Sequence, residues 1–150
     1  ANNIAESSDI VDKSRLLTAV KTANIQEFIE TLPLAYNTQI GPKGIGVSLG
    51  QQQRLLIARA IYKKPELLFL DEATNALDAN NEKTIVSNLN EITKNKTVVV
   101  VAHRLSTVKN ADKIIVLEHG EIIEEGTHKE LVAMQGAYFN LIKNQLELGN

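Results

Sequence analysis

As far as Pro65, the hydrophobic positions recur at helical spacing. Ile10, Leu16, Leu17, Val20 and Ala23 outline a partly amphipathic segment, for which Ser8 and Asp9 are the predicted caps. Ile25, Phe28, Ile29 and Leu32 fall on one helical face that stops at Pro33. Between Asn37 and Gly46 the run of Gly41, Pro42, Gly44 and Gly46 is loop chemistry. Ser48-Leu49-Gly50-Gln51 reads as a capping box, with the Ser oxygen and the Gln side chain satisfying the first orphan N–H groups of a helix. From there to Tyr62 the residues are apolar on most sides (Leu55, Leu56, Ile57, Ala58, Ala60, Ile61), which predicts a helix packed between other elements.

Beyond Pro65 the rhythm alternates. Leu67–Leu70 is a short apolar run that ends abruptly at Asp71-Glu72. Glu82 to Thr93 places Ile85, Val86, Leu89 and Ile92 at helical spacing, and Thr97–Ala102 is a β-branched run ending at His103. Strand, helix and strand make a βαβ unit, so the two strands are predicted to be parallel with a right-handed crossover. Ile114–Leu117 and Ile122–Ile123 flank His119-Gly120, the pattern of a hairpin. Thr127-His128-Lys129-Glu130 is a second capping box that opens a helix ended by Gly136. Tyr138 to Leu148 reads as a last helix, held to the body by Tyr138, Phe139, Leu141 and Ile142. The fold class is α/β, with a helical portion in front.

Composition narrows the possibilities. Hydrophobic residues at 43% and charged residues at 23% are ordinary for a globular domain, and 150 residues suffice for one core. Lys plus Arg number 16 against 18 Asp plus Glu, a net charge of −2, which argues against a nucleic-acid partner. The chain has no cysteine, which excludes disulfides and thiolate metal sites, and no pair of histidines has ligand spacing on one helix. Glu82-Lys83 and Glu124-Glu125 are expected to be solvated charges.

Two places carry chemistry. In parallel sheets ligands bind beyond the carboxyl ends of the strands, where Asp71, Glu72 and His103 are expected. A carboxylate there suits Mg²⁺, which keeps most of its waters, and a neighbouring carboxylate can orient a water and take its proton. The helix start at Ser48–Gln51 offers free N–H groups and a positive dipole end to a phosphate. Taken singly, the first string also fits a polar loop and the second a well-capped helix.

Order and spacing together decide between these readings. Val47-Ser48-Leu49-Gly50-Gln51-Gln52-Gln53-Arg54, followed by Ile57-Ala58-Arg59-Ala60, resembles the signature motif and helix of ATP-binding-cassette (ABC) ATPases. Leu67 to Thr74 resembles their Walker B strand, Asn75-Ala76-Leu77-Asp78 their D-loop, and Ala102 to Thr107 their H-loop. Thr38 to Gly44 and His103 to Val108 are similar to exporter members, with the bacterial toxin, peptide and bacteriocin exporters nearest in texture.

The resemblance implies a P-loop NTPase-type (RecA-like) parallel sheet, partial, preceded by a helical signature-bearing subdomain. Residues 1–64 would be that subdomain and 65–150 the C-terminal part of the ATPase core. No Gly-x-x-x-x-Gly-Lys-[Ser/Thr] string occurs, so the chain is expected to be the C-terminal portion of a nucleotide-binding domain and to be inactive alone. Residue by residue, the resemblance implies that Asp71 holds Mg²⁺ through water, Glu72 is the general base and His103 contacts the γ-phosphate. Ser48, Gly50 and Gln51 would face ATP held by a second, head-to-tail copy, with Asp78 contacting across that interface. The implied cofactors are ATP and Mg²⁺. The implied partners are a transmembrane domain of the same transporter and a second nucleotide-binding domain, at the cytoplasmic face of a bacterial membrane. Three positions depart from the family: Leu49 stands where it has Gly, Pro42 where the exporter loop has Glu, and Asn75 where the D-loop has Ser. The first implies weakened rather than abolished turnover. Competing readings are an ABC-type ATPase of DNA repair or chromosome maintenance, and a truncated non-enzymatic docking module.

Overall fold

The computed structural model describes residues 1–6, 10–41, 44–101 and 105–148. The chain divides into two compact units, Ala1–Val99 and Val100–Asn150. Ser8 and Asp9, predicted as caps, lie outside the described residues. The cap of the first long helix is instead Asp12, whose carboxylate accepts from the Arg15 N–H. Ile10 therefore stands before the helix, exposed rather than on its apolar face.

In the first unit, α1 (Asn2–Ala5), α2 (Lys13–Thr22), α3 (Gln26–Thr31) and a 3-10 turn (Ala35–Asn37) precede α4 (Leu49–Tyr62). These helices pack around α4, which buries Ile57, Ala58, Ile61 and Tyr62 against Leu16, Val20, Ile25 and Ile29. The Tyr62 hydroxyl accepts from the Asp12 N–H at 2.9 Å. Glu6 at the end of α1 pairs with Arg59 and Lys63 of α4 at 3.0 and 2.6 Å. The prediction that α4 is enclosed on most sides fails at Leu49 and Leu56, which are 66% and 55% exposed.

Strand β1 (Leu67–Asp71) follows, then α5 (Ala79–Ile92) and β2 (Thr97–Val101), and the two strands form a small parallel sheet. β1 buries one of its two faces. Leu68 and Leu70 enter the core while Leu67 and Phe69 point outward. α5 begins three residues before Glu82, because Asp78 caps it by accepting from the N–H groups of Asn80 and Asn81. Glu82, expected to be solvated, is buried on the face that carries Ile85 and Leu89. The spacing of 82, 85 and 89 on one helical face was the available signal.

The second unit holds α6 (Leu105–Val108), the antiparallel hairpin of β3 (Ile114–Glu118) and β4 (Glu121–Gly126), α7 (His128–Met134) and α8 (Ala137–Leu148). Its core is Ile114, Val116, Leu131, Tyr138 and Ile142, with Phe139 half-buried against it, whereas Leu141 is exposed. Thr127 and Glu130 form the predicted capping box. α7 is closed by Gln135 at φ +53°, one residue earlier than Gly136. Gly136 serves another purpose. Glu124, also expected to be solvated, reaches the start of α8 and accepts from the N–H groups of Ala137 and Tyr138 at 2.5 and 2.9 Å. A Cβ on residue 136 would stand 1.9 Å from that carboxylate, so a larger residue there would displace Glu124 from this position. Glu125 pairs with Lys113 at 2.9 Å.

Among the described residues, three capping carboxylates contribute to the acid response, beside Glu6, which Lys63 holds below the usual carboxylate range. Asp12 is held below the usual carboxylate range chiefly by the Arg15 backbone N–H, Asp78 by that of Asn81, and Glu130 by that of Thr127. A lowered folded pKa means stability present in full above the unfolded value and lost as pH falls through the folded one. The melting midpoint is therefore expected to be flat down to about pH 4.5 and to fall below it. Circular-dichroism melts across that range check this, and D78N should reduce the slope.

Candidate active site

The candidate site is built where β1 ends and α4 begins. Asp71 is the last residue of β1 and is exposed. Glu72 follows at φ +47°, a left-handed conformation that a non-glycine residue adopts at some cost. It turns the chain out of the strand, and the Asn75 N–H donates to the Glu72 carbonyl at 3.2 Å. The Asn75 amide also donates to the Glu72 carboxylate, Nδ2 to Oε2, at 2.8 Å. Thr74 and Leu77 are buried, so the segment between the strand and α5 is anchored to the core.

The α4 N-terminus packs on that segment. Ser48 Oγ accepts from the Gln51 N–H at 3.2 Å, and Gln51 Oε1 accepts from the Ser48 N–H at 2.8 Å, the capping box read from the sequence. The box leaves the N–H groups of Leu49 and Gly50, the first two helical residues, as the natural donors for an anion. A Cβ on Gly50 would stand 3.1 Å from the Ala76 carbonyl oxygen and 3.6 Å from Leu77 Cδ2. Glycine at 50 thus permits the close approach of helix and loop. Gln53, one turn on, accepts from the Ala76 N–H at 3.0 Å.

A second set of bonds joins the same elements lower down. Asp78 accepts from the Asn81 side-chain amide at 2.5 Å, and Asn81 Oδ1 accepts from Asn24 and, at 3.4 Å, from Arg54 of α4. Arg54 also donates to the Asn24 carbonyl at 2.6 Å. The structure therefore brings Ser48, Gly50 and Gln51 against the 75–78 loop, with Glu72 tied to that loop and Asp78 at its far end as a helix cap. His103 lies outside the described residues, as does Pro42. Sequence reasoning missed Gln53, Asn81 and the Asn75–Glu72 bond. Gln53 stands in a run of three glutamines, where nothing in the pattern singles out one of them.

Among the described residues no group of three or more His, Asp or Glu is placed to hold a metal. Asp71, an exposed carboxylate beside Glu72, nonetheless suits Mg²⁺ carried by a nucleotide, since that ion takes one or two carboxylates and completes its shell with water and phosphate oxygens. No helix among the described residues is long and apolar enough to cross a membrane.

A family profile described as ABC transporter matches residues 2–75. Over 145 residues the chain is 48% identical to an ATP-dependent lipid A-core flippase of Legionella pneumophila strain Paris, covering 97% of this chain and 25% of the flippase. The chain belongs to the ABC transporter family. A flippase of the same description from Haemophilus influenzae strain Rd is 51% identical over 142 residues, covering 94% of this chain and 24% of that protein. The ABC-type transporter fsqE of Aspergillus fumigatus is 46% identical over 142 residues, covering 95% and 11%. The solved structure of a bacterial Atm1-family ABC exporter with ATP bound superposes with a TM-score of 0.88 at 38% identity, over 96% of this chain and 25% of the exporter chain. The chain spans about a quarter of the flippases' length. These relatives come from bacteria and a fungus, so the likeness does not fix a bacterial source. The DNA-repair reading finds no support among them.

Proposed function

We propose that this chain is part of the ATP-binding domain of an ABC exporter, which couples ATP hydrolysis to transport across a membrane, with Asp71 and Glu72 at the ATP site of its own domain and the signature helix at that of a second copy. The observation that carries this reading is the packing of the α4 N-terminus, with Gly50 facing Ala76, on the loop that leaves the acidic end of β1. That arrangement sets anion-binding N–H groups and a carboxylate pair on elements joined by direct contact. The sequence likeness to flippases and to an ATP-bound exporter supports the same reading.

Asp71 would hold Mg²⁺ through its waters, and the bound ion would neutralise charge on the phosphate oxygens. Glu72 orients the attacking water and accepts its proton as the water oxygen bonds to the γ-phosphorus and the bond from that phosphorus to the β,γ-bridging oxygen breaks, releasing ADP. Ser48, Gly50 and Gln51 present donors to the phosphates of ATP held by a second copy, and His103 contacts the γ-phosphate. Positioning and charge stabilisation are what phosphoryl transfer requires, and each half-site lacks one side until two copies close. A transmembrane domain on the same polypeptide would anchor the assembly at the membrane, with residues 1–64 and 65–150 as its helical and core portions.

The test compares two proteins. The full-length protein in lipid vesicles is expected to hydrolyse MgATP and to move its cargo only when ATP is present. The 150-residue chain alone is expected to show no saturable micromolar MgATP binding by calorimetry, because it carries no P-loop string. A full-length protein without MgATP hydrolysis would sink the reading and favour a docking module. Leu49 adds a separate expectation. Its exposed side chain stands on the first turn of α4, where a phosphate would approach. Leu49→Gly in the full-length protein should leave turnover unchanged or raise it, and a clear drop in steady-state hydrolysis would refute the crowding argument.

A further inference from the structure

The corner where α4 hands the chain to β1 encloses a cavity of about 340 Å³. Its cause is local. α4 ends at Tyr62, Lys64 turns at φ +50°, a left-handed conformation, and Pro65 bars a return to the helix before β1 starts at Leu67. Side chains of α2 and of the end of α5 close round that turn without filling it. Ile61, Leu68 and Ile92 make an apolar floor. Thr18 and Thr93 also line the cavity, but their hydroxyls are committed to the carbonyls of Ser14 and Leu89 in their own helices, at 3.0 and 2.7 Å. Arg15, Lys64 and Lys96 complete the lining with three cations. Lys96 Nζ donates to the Pro65 carbonyl at 2.7 Å, and Arg15 Nε to Asp12 Oδ2 at 3.2 Å. An ammonium has three N–H donors and a guanidinium five, more than those bonds use. The Asp12 carboxylate, which Arg15 and Lys64 both attract, offsets one of the three charges. Among the described residues no acidic or aromatic side chain lines the cavity itself.

We propose that this cavity binds a short alkyl chain with an anionic head, the chemistry of a medium-length fatty acid or an alkyl phosphate. Its volume stands at the lower end of ligand pockets, which hold about 300–1,000 Å³. The aliphatic floor takes the tail, whose removal from water drives binding. The cations fix the head through charge-assisted hydrogen bonds. A planar ring finds no aromatic wall to stack on, and a cationic amphiphile meets a rim of its own sign. The site is separate from the proposed ATP site. Leu68 is about 10 Å along β1 from Asp71. Ile61 is about 18 Å along α4 from Leu49. A ligand here touches the opposite ends of the two elements that carry the ATP-site residues and meets none of those residues.

A diazirine-bearing octanoate tests this on the full-length protein in lipid vesicles, with cross-linked peptides mapped by mass spectrometry and melting temperature followed in every variant. Adducts are expected on α2, the last turn of α4, the start of β1 and the end of α5, and they should saturate with the probe. Unlabelled octanoate and octyl phosphate should compete. Octyltrimethylammonium, which has the tail and the wrong charge, and acetate, which has the head and no tail, should not. Lys64→Glu puts a carboxylate on the rim and should raise the half-saturating concentration by about threefold or more. Higher ionic strength should act in the same direction. Thr18→Trp sets a large ring over the cavity from the exposed side of α2 and should abolish the adducts without lowering the melting temperature. Ser14→Trp, also exposed and one turn earlier, should do the same. Saturable adducts that persist in both tryptophan variants overturn the proposal. So do adducts spread along the chain without saturation, equal competition by octyltrimethylammonium, an unshifted half-saturating concentration in Lys64→Glu, or no adducts on these four elements.

Discussion

Replacing Glu72 with Gln in the full-length protein is expected to lower MgATP turnover by about 10²–10⁴-fold while ATP binding stays within about twofold. Gln keeps the size of the side chain and can still meet Asn75 through its amide oxygen, so the 72–75 turn should survive. What it loses is the ability to accept a proton at neutral pH. A residue that acts only in the transition state affects kcat and leaves ground-state binding alone. Glu72 is exposed and the strand before it stays buried through Leu68 and Leu70, so folding should be insensitive to the change. Asp71→Asn separates the two carboxylates. Its defect should appear as a raised requirement for Mg²⁺, because a neutral amide holds the hydrated ion less well. Steady-state hydrolysis across a Mg²⁺ titration, beside equilibrium ATP binding, distinguishes the two. Glu72→Gln with near-native turnover would move the base elsewhere.

The elements were legible in the sequence wherever a local signal was strong. Both capping boxes, the βαβ succession, the hairpin about His119-Gly120 and the α4 span follow from patterns within a few residues. The errors share one cause, which is tertiary partnership that a local window does not contain. Glu124 is a surface charge by composition, yet it caps α8 because the hairpin delivers it to the free N–H groups of Ala137 and Tyr138. Glu82 is buried because it falls on the apolar face of α5. Leu141 is apolar and exposed because Tyr138 and Ile142 take the core-facing positions of α8. At the candidate site the motif residues were recognisable, but the bonds that join them were not. Gln53 to Ala76 spans 23 residues and Asn24 to Asn81 spans 57, and neither distance leaves a periodic trace.

Leu131→Ala is expected to unfold the second unit while the first stays folded. Among the described residues that unit has a core of five buried side chains, Ile114, Val116, Leu131, Tyr138 and Ile142, and Leu131 is the one fully shielded from solvent. Truncating a buried Leu to Ala costs about 2–5 kcal/mol, from lost transfer energy and the cavity left behind. A unit of about 50 residues has about 2.5–7.5 kcal/mol to lose, so the change takes most of it. The same truncation in the first unit meets a larger reserve. Ile85 is equally buried, but its cluster holds 17 described residues contributed by α1, α2, α3, α4, β1, α5 and the segments beside them. Ile85→Ala should lower the melting point and leave that unit folded. Hydrogen exchange reads the contrast directly. In Leu131→Ala, the amides of β3, β4, α7 and α8 should lose protection while those of α2 and α4 keep it. Leu131→Met, which nearly conserves volume, should cost less than about 1.5 kcal/mol and retain protection throughout. Uniform loss across both units would show that they unfold as one, and the small core would then draw its stability from the larger.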